Sequence, residues 1–109
     1  MAAKKKSSTK AASSYVIVRA YSGVFAGELV AKYVRDGSSY DGVFRNVRQV
    51  WQWTSTGLAK PVLTVGDIAI RGVGAGSKVS DPAPELELAD IKAIFVCTPE
   101  AESNLRAAK

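Results

Sequence analysis

Arg45-Asn-Val-Arg-Gln-Val-Trp-Gln-Trp53 places both tryptophans of the chain and two of its arginines within nine residues. Alternate side chains of a β-strand lie on the same face, so this segment is predicted to hold Trp51 and Trp53 on one face and Arg48 on the other. Two interpretations remain open. Both tryptophans could lie in the core of a small β-sheet with the arginines at its solvated edge, or Arg45, Arg48, Trp51 and Trp53 could form a surface that stacks on a flat ligand or a partner. We expect at least one tryptophan to be in the core and Arg48 to be exposed.

The basic character of the chain is concentrated at its N-terminus. The 109 residues carry a formal net charge of +5, and four of the lysines, Lys4, Lys5, Lys6 and Lys10, lie in residues 1–14. From Tyr15 onward the chain is almost neutral, which argues against a phosphate-binding surface that covers the whole domain. We therefore predict a flexible Lys-rich arm at residues 1–14 and a single β-rich domain at 15–109. The arm could contact nucleic acid, contact an acidic neighbouring subunit, or only increase solubility.

Runs of branched aliphatic and aromatic residues predict the strands. Tyr15-Val-Ile-Val-Arg19 is typical of a strand, a second strand is predicted from Val24 to Tyr33, and a third is the segment that ends at Trp53. These three should form an antiparallel meander. Nearer the C-terminus, alternation at Glu85 to Leu88 and the apolar run from Ile91 to Cys97 predict further strands, the latter central in the sheet.

Two short helices are predicted from their N-terminal signals. Thr64 and Asp67 have the spacing of a capping box, which favours a helix over about Val65 to Arg71, although the flanking residues also alternate as a strand would. Thr98-Pro99-Glu100 is typical of a helix start. The segment between these helices from Gly72 to Pro84, rich in glycine and proline, is predicted to be an exposed loop.

These patterns together predict an α+β, β-rich fold. It should be a twisted antiparallel sheet or small barrel of about five strands, with one or two short helices and a disordered basic N-terminal arm.

The residue inventory argues against catalysis and against a metal or cofactor. The chain has no histidine and a single cysteine, so Ser-His and Cys-His nucleophile pairs and a protein zinc site are not expected. Cys97 lies in an apolar run and is predicted to be a buried, unreactive thiol. We therefore predict no catalytic residue, no metal ligand and no cofactor.

Targeting signals are also missing from the sequence. It has no apolar run of the roughly 18 to 20 residues that span a bilayer, and no apolar stretch of a secretory signal follows the basic start. The expected location is the host cytoplasm or an assembled particle, with no membrane contact.

Three segments resemble a family of short, uncharacterised phage and prophage proteins. Tyr15-Val-Ile-Val-Arg-Ala-Tyr-Ser-Gly-Val-Phe-Ala-Gly-Glu-Leu29 is similar to the YVIVRTYSAGVFAG-like string that opens that family. The segment from Arg45 to Trp53 resembles its NARRIWYW motif, and Ile94-Phe-Val-Cys-Thr98 its IIPCT motif. Relatives have tyrosine where Gln52 stands here, and a longer middle region. The resemblance covers about Tyr15 to Leu105 and implies a phage origin, but no activity and no site residues.

The sequence thus favours a non-catalytic, phage-encoded assembly or virion-associated structural protein that acts through subunit contacts. The expected partners are further copies of the chain or other phage structural proteins, with nucleic acid possible through the arm. The alternative is a regulatory or anti-defence module that binds nucleic acid or a nucleotide on the Arg45/Arg48/Trp51/Trp53 surface.

We predict that the arm is dispensable for folding, because residues 1–14 supply no core side chain. A chain that starts at Ser14 should unfold within a few degrees of the full-length protein in a thermal melt, while assembly or binding weakens. A large loss of thermal stability would show instead that the arm is part of the fold.

Overall fold

A computed structural model describes residues 14–109, which form five β-strands and two α-helices. In chain order these are β1 Ser14–Ala20, β2 Gly23–Asp36, β3 Ser39–Gln52, α1 Val65–Arg71, β4 Lys78–Val79, β5 Ala83–Val96 and α2 Pro99–Ala107.

All strand pairs are antiparallel and belong to one sheet. β1, β2 and β3 pair in sequence order, which confirms the predicted meander. β5 lies between β1 and β3, and the pairing of β2 with β3 closes these four strands into a small barrel. β4 adds to the free edge of β3 near its end. The predicted β-rich fold with about five antiparallel strands and two short helices is confirmed.

Two hydrophobic clusters share β1 between them. Val16 and Val18 pack with Phe44 and Val47 of β3 in the cluster that the barrel encloses. Tyr15 and Ile17 point to the opposite face of β1 and pack with residues of both helices, such as Ile68. Because β1 is buried on both faces, four consecutive apolar residues are needed there, and the sequence supplies them.

Both helices begin where their capping signals predict. Thr64 and Asp67 form the capping box, with the carboxylate of Asp67 accepting from the Thr64 amide at 3.1 Å and the Thr64 hydroxyl accepting from the Asp67 amide at 3.2 Å. The hydroxyl of Thr98 accepts from the amide of Ala101, and Pro99 occupies the first turn of α2. The predicted helix over Val65 to Arg71 is therefore confirmed, and the competing strand interpretation is wrong.

The segment from Gly72 to Pro84 is not the exposed loop that its composition predicts. It contains β4, and it buries Val73, Gly74 and Ser77. Gly74 approaches the backbone after β3 so closely that a Cβ atom there would lie 2.4 Å from the Thr56 amide nitrogen. The glycine therefore serves close packing rather than flexibility, a distinction that composition alone does not make.

A β-bulge interrupts β3 at Asn46 and Val47. Ala26 of β2 pairs with Arg48 and Glu28 pairs with Arg45, so Gly27 alone faces two residues of β3. Asn46 has a φ of 52°, in the left-handed region that asparagine tolerates better than most residues. A Cβ atom on Gly27 would lie 3.1 Å from the Cα atom of Val47. The bulge therefore favours glycine on one strand and asparagine on the other.

Two substitutions of Asn46 in the bulge should destabilise the fold to different extents. Asn46→Val should lower the free energy of unfolding by about 1 to 3 kcal/mol, because a β-branched residue is strained at positive φ. Asn46→Gly should lose less, since glycine adopts positive φ readily. Urea unfolding of both variants measures the difference, and equal losses would contradict the role of backbone strain.

Candidate functional site

The two tryptophans do not form a common platform. Trp51, near the end of β3, is 71% exposed, whereas Trp53 is half-buried and packs against the cluster shared with the helices. Trp51 lines a depression together with Lys78 and Val79, while Trp53 lines a different cavity. We predicted at least one tryptophan in the core, but Trp53 is only half-buried and packs against the core, and Trp51 is exposed.

Arg48 is buried, with 5% of its surface exposed, so the prediction that it is exposed is wrong. Its Nε donates to the carbonyl of Ser80 at 2.7 Å, and its Nη1 donates to the carbonyls of Leu105 at 2.9 Å and Arg106 at 3.2 Å. The latter two carbonyls lie in the last turn of α2 and have no intrahelical amide partner. A guanidinium group at this helix end satisfies them and interacts favourably with the helix dipole. Arg48 therefore ties β3 to α2.

Arg45 is the one arginine of this segment that faces solvent. Its Nε lies 3.7 Å from a carboxylate oxygen of Glu85 on the neighbouring strand β5. Arg45, Arg48, Trp51 and Trp53 therefore do not form one surface, because Arg48 is buried and the two tryptophans line different cavities. The arm residues Lys4, Lys5, Lys6 and Lys10, the other candidate contacts, lie outside the described residues.

A polar cluster at the C-terminal end of α2 has a structural role. The Arg106 guanidinium lies 4.6 Å from the centre of the Tyr15 ring and donates to Glu28 at 3.0 Å and to Glu102 at 2.9 Å. Hydrogen bonds from Asn46 and Arg106 lower the pKa of the Glu28 carboxyl, so this group is anionic at neutral pH. Sequence reasoning missed the cluster because its members lie far apart along the chain.

The described residues hold little that suggests catalysis. Cys97 is half-buried rather than buried as predicted. This burial raises the pKa of its thiol to about 11, with the charge of Glu102 adding to the effect, so the thiolate is scarce at neutral pH. Within residues 14–109 no three or more potential metal ligands of the Cys, Asp and Glu types lie together. No helix in the same range is long and apolar enough to cross a membrane.

The second half of β2 is an open edge. Pairing with β1 ends at Leu29, so among the described residues the segment Val30–Asp36 is paired only with β3. Val34 is 73% exposed and Tyr33 is 60% exposed. We call the segment Val30–Asp36 the open edge. As far as residues 14–109 are concerned, it combines backbone groups that lack strand partners with exposed apolar side chains, which is the usual character of an association surface.

A second apolar surface lies between the sheet and the start of α1. Val24, Trp53, Leu63, Val65 and Phe95 line a cavity of about 510 Å³, which also reaches Arg19. Leu63 is 75% exposed at its rim. We call this the apolar groove. Neither the open edge nor the apolar groove was predicted from the sequence.

The chain belongs to a family described as a domain of unknown function, DUF6948, whose model matches residues 13–105. Comparison with curated proteins and with solved structures finds no match.

The two arginines should respond differently to the same substitution. Arg48→Met should lower the free energy of unfolding by at least about 2 kcal/mol, since it leaves buried carbonyls of Ser80 and α2 without donors. Arg45→Met, the matched control on the exposed side, should change it by less than about 0.5 kcal/mol. Urea unfolding measures both, and equal effects would mean that Arg48 does not hold α2 to the sheet.

Proposed function

We propose that this member of the DUF6948 family is a non-catalytic assembly protein that acts through contacts between subunits. The observation that carries the proposal is the open edge. Its exposed Tyr33 and Val34 stand on a strand whose outer backbone groups have no partner strand among residues 14–109. Surfaces of this kind are uncommon on proteins that remain single, because they promote pairing with another chain.

The distribution of charge on the open edge supports a specific contact rather than aggregation. Lys32 lies 5.0 Å from the centre of the Tyr40 ring, and Arg35 is 3.2 Å from Asp41. Charged side chains on an edge strand oppose indiscriminate pairing and leave the apolar side chains for a partner of matching shape. The resemblance to phage proteins in the sequence makes a phage particle or its assembly intermediate the setting that we propose, with the Lys-rich segment before β1 lying across a neighbour.

The alternative function, binding of nucleic acid or a nucleotide, receives less support from the geometry. A stacking surface needs cations and aromatic rings side by side. Arg48 donates instead to carbonyls of the fold, and Trp51 and Trp53 line separate cavities.

Val34→Lys should abolish self-association, because a charged side chain would have to be buried in the contact. The full-length protein should form oligomers in light scattering at micromolar concentration, and the variant should remain monomeric with an unchanged circular dichroism spectrum. Trp51→Lys is the matched control, since its side chain is equally exposed on another surface.

The same light-scattering measurement with an added oligonucleotide distinguishes assembly from nucleic-acid binding. If the wild-type protein stays monomeric by itself and binds the oligonucleotide, and if this binding is lost in Trp51→Lys, the assembly function is wrong and the nucleic-acid-binding function is favoured. Equal loss of association in both lysine variants would show that contact is not confined to the open edge.

A further inference from the structure

We infer that assembly is head-to-tail, with the open edge of one copy docked in the apolar groove of the next. This inference rests on the proposed function and specifies its partner surface. It assigns the groove, formed around Val24, Leu63 and Phe95, as the receptor for Val34 of a second copy.

The two surfaces are complementary in polarity and size. The apolar groove offers mainly apolar side chains and a volume of about 510 Å³, within the range of cavities that hold a ligand of several side chains in size. On the open edge Val34 is 73% exposed, and it shares its face of the strand with Asp36, whereas Tyr33 points to the opposite face. Contact between the two would cover both exposed patches of each copy.

Their charges are complementary as well. Arg19 reaches the groove from β1, and within residues 14–109 it makes no ion pair. Asp36 ends the open edge two residues after Val34. Hydrogen bonds from the amide and hydroxyl of Ser38 lower the pKa of the Asp36 carboxyl, so it is anionic at neutral pH. A docked edge would therefore bring an exposed carboxylate to an exposed guanidinium.

The positions of the open edge and the apolar groove favour a chain of copies in which each copy makes the same contact with the next. Val24 in the groove and Val34 on the open edge belong to the same strand, about 30 Å apart along it at the usual rise per residue. The molecule is 45 Å long, so one copy can bind a neighbour at each end. Two different surfaces that fit each other generate a ring or a filament, whereas a two-fold contact of open edges would stop at a dimer.

Mixing two variants tests the inference. Val34→Lys disables the open edge and Leu63→Lys disables the groove, and both sites are exposed enough for the chain to fold. Each variant alone should associate at least about tenfold more weakly than wild type, as expected for a charge placed at the centre of a contact. Mixed in equal amounts, they should form a one-to-one pair, because one intact edge and one intact groove remain. Native mass spectrometry identifies this pair by the masses of the two variants.

The other outcomes overturn the inference in distinguishable ways. Normal assembly of Leu63→Lys beside a monomeric Val34→Lys would exclude the groove and leave the proposed function standing. Two monomeric variants that do not pair when mixed would indicate a symmetric contact. Impaired assembly of the control Trp51→Lys would show a non-specific apolar contact. A monomeric wild-type protein would overturn both the inference and the proposed function.

Discussion

The bulge at Asn46 and Val47 is the constraint on which the rest of the structure depends. Without it, a strand that turns Phe44 into the barrel would turn Arg48 and Val50 inward as well, because all three are an even number of residues apart. The extra residue places Phe44 and Val47 in the barrel and moves Arg48 and Val50 to the side of the helices. A single strand thereby contributes to two cores. Opposite the bulge stands Gly27, where a Cβ atom would make a tight contact of 3.1 Å with the Cα atom of Val47.

The bulge places the Arg48 side chain where it contacts the end of α2. Its side chain replaces the donors that the last turn of α2 lacks, and the same guanidinium reaches the carbonyl of Ser80 before β5. A neutral side chain would leave these carbonyls without partners, and a lysine would lack the planar fork that serves several acceptors at once. The cost of burying the charge is offset by three carbonyl contacts and the helix dipole rather than by a carboxylate. The most polar residue of the segment thus stabilises the fold instead of forming a binding surface.

Local signals predicted much of this architecture, and contacts between distant residues account for what they missed. The capping residues Thr64 and Thr98 act within one helical turn, so their spacing in the sequence was sufficient to locate α1 and α2. The burial of Arg48 depends on carbonyls more than fifty residues away, and a general tendency of arginine toward the surface gave the wrong answer. Similarly, Gly74 is buried by the backbone of Thr56, which its own neighbours do not reveal. The candidate contact surfaces also form only when separate segments meet, as Val24, Leu63 and Phe95 do in the groove.

The strand β2 links the fold to the proposed function because its two halves have different surroundings. From Gly23 to Leu29 it pairs on both sides and completes the barrel, whereas beyond Leu29 its one partner strand in the described part of the chain is β3. The first half packs Phe25 and Leu29 against the barrel cluster, whereas Tyr33 and Val34 of the second half are exposed. Val34 can therefore be exposed without any loss to the barrel core, and the fold tolerates a surface that serves another chain. Lys32 and Arg35 flank this surface with charge, which disfavours indiscriminate strand pairing at the open edge.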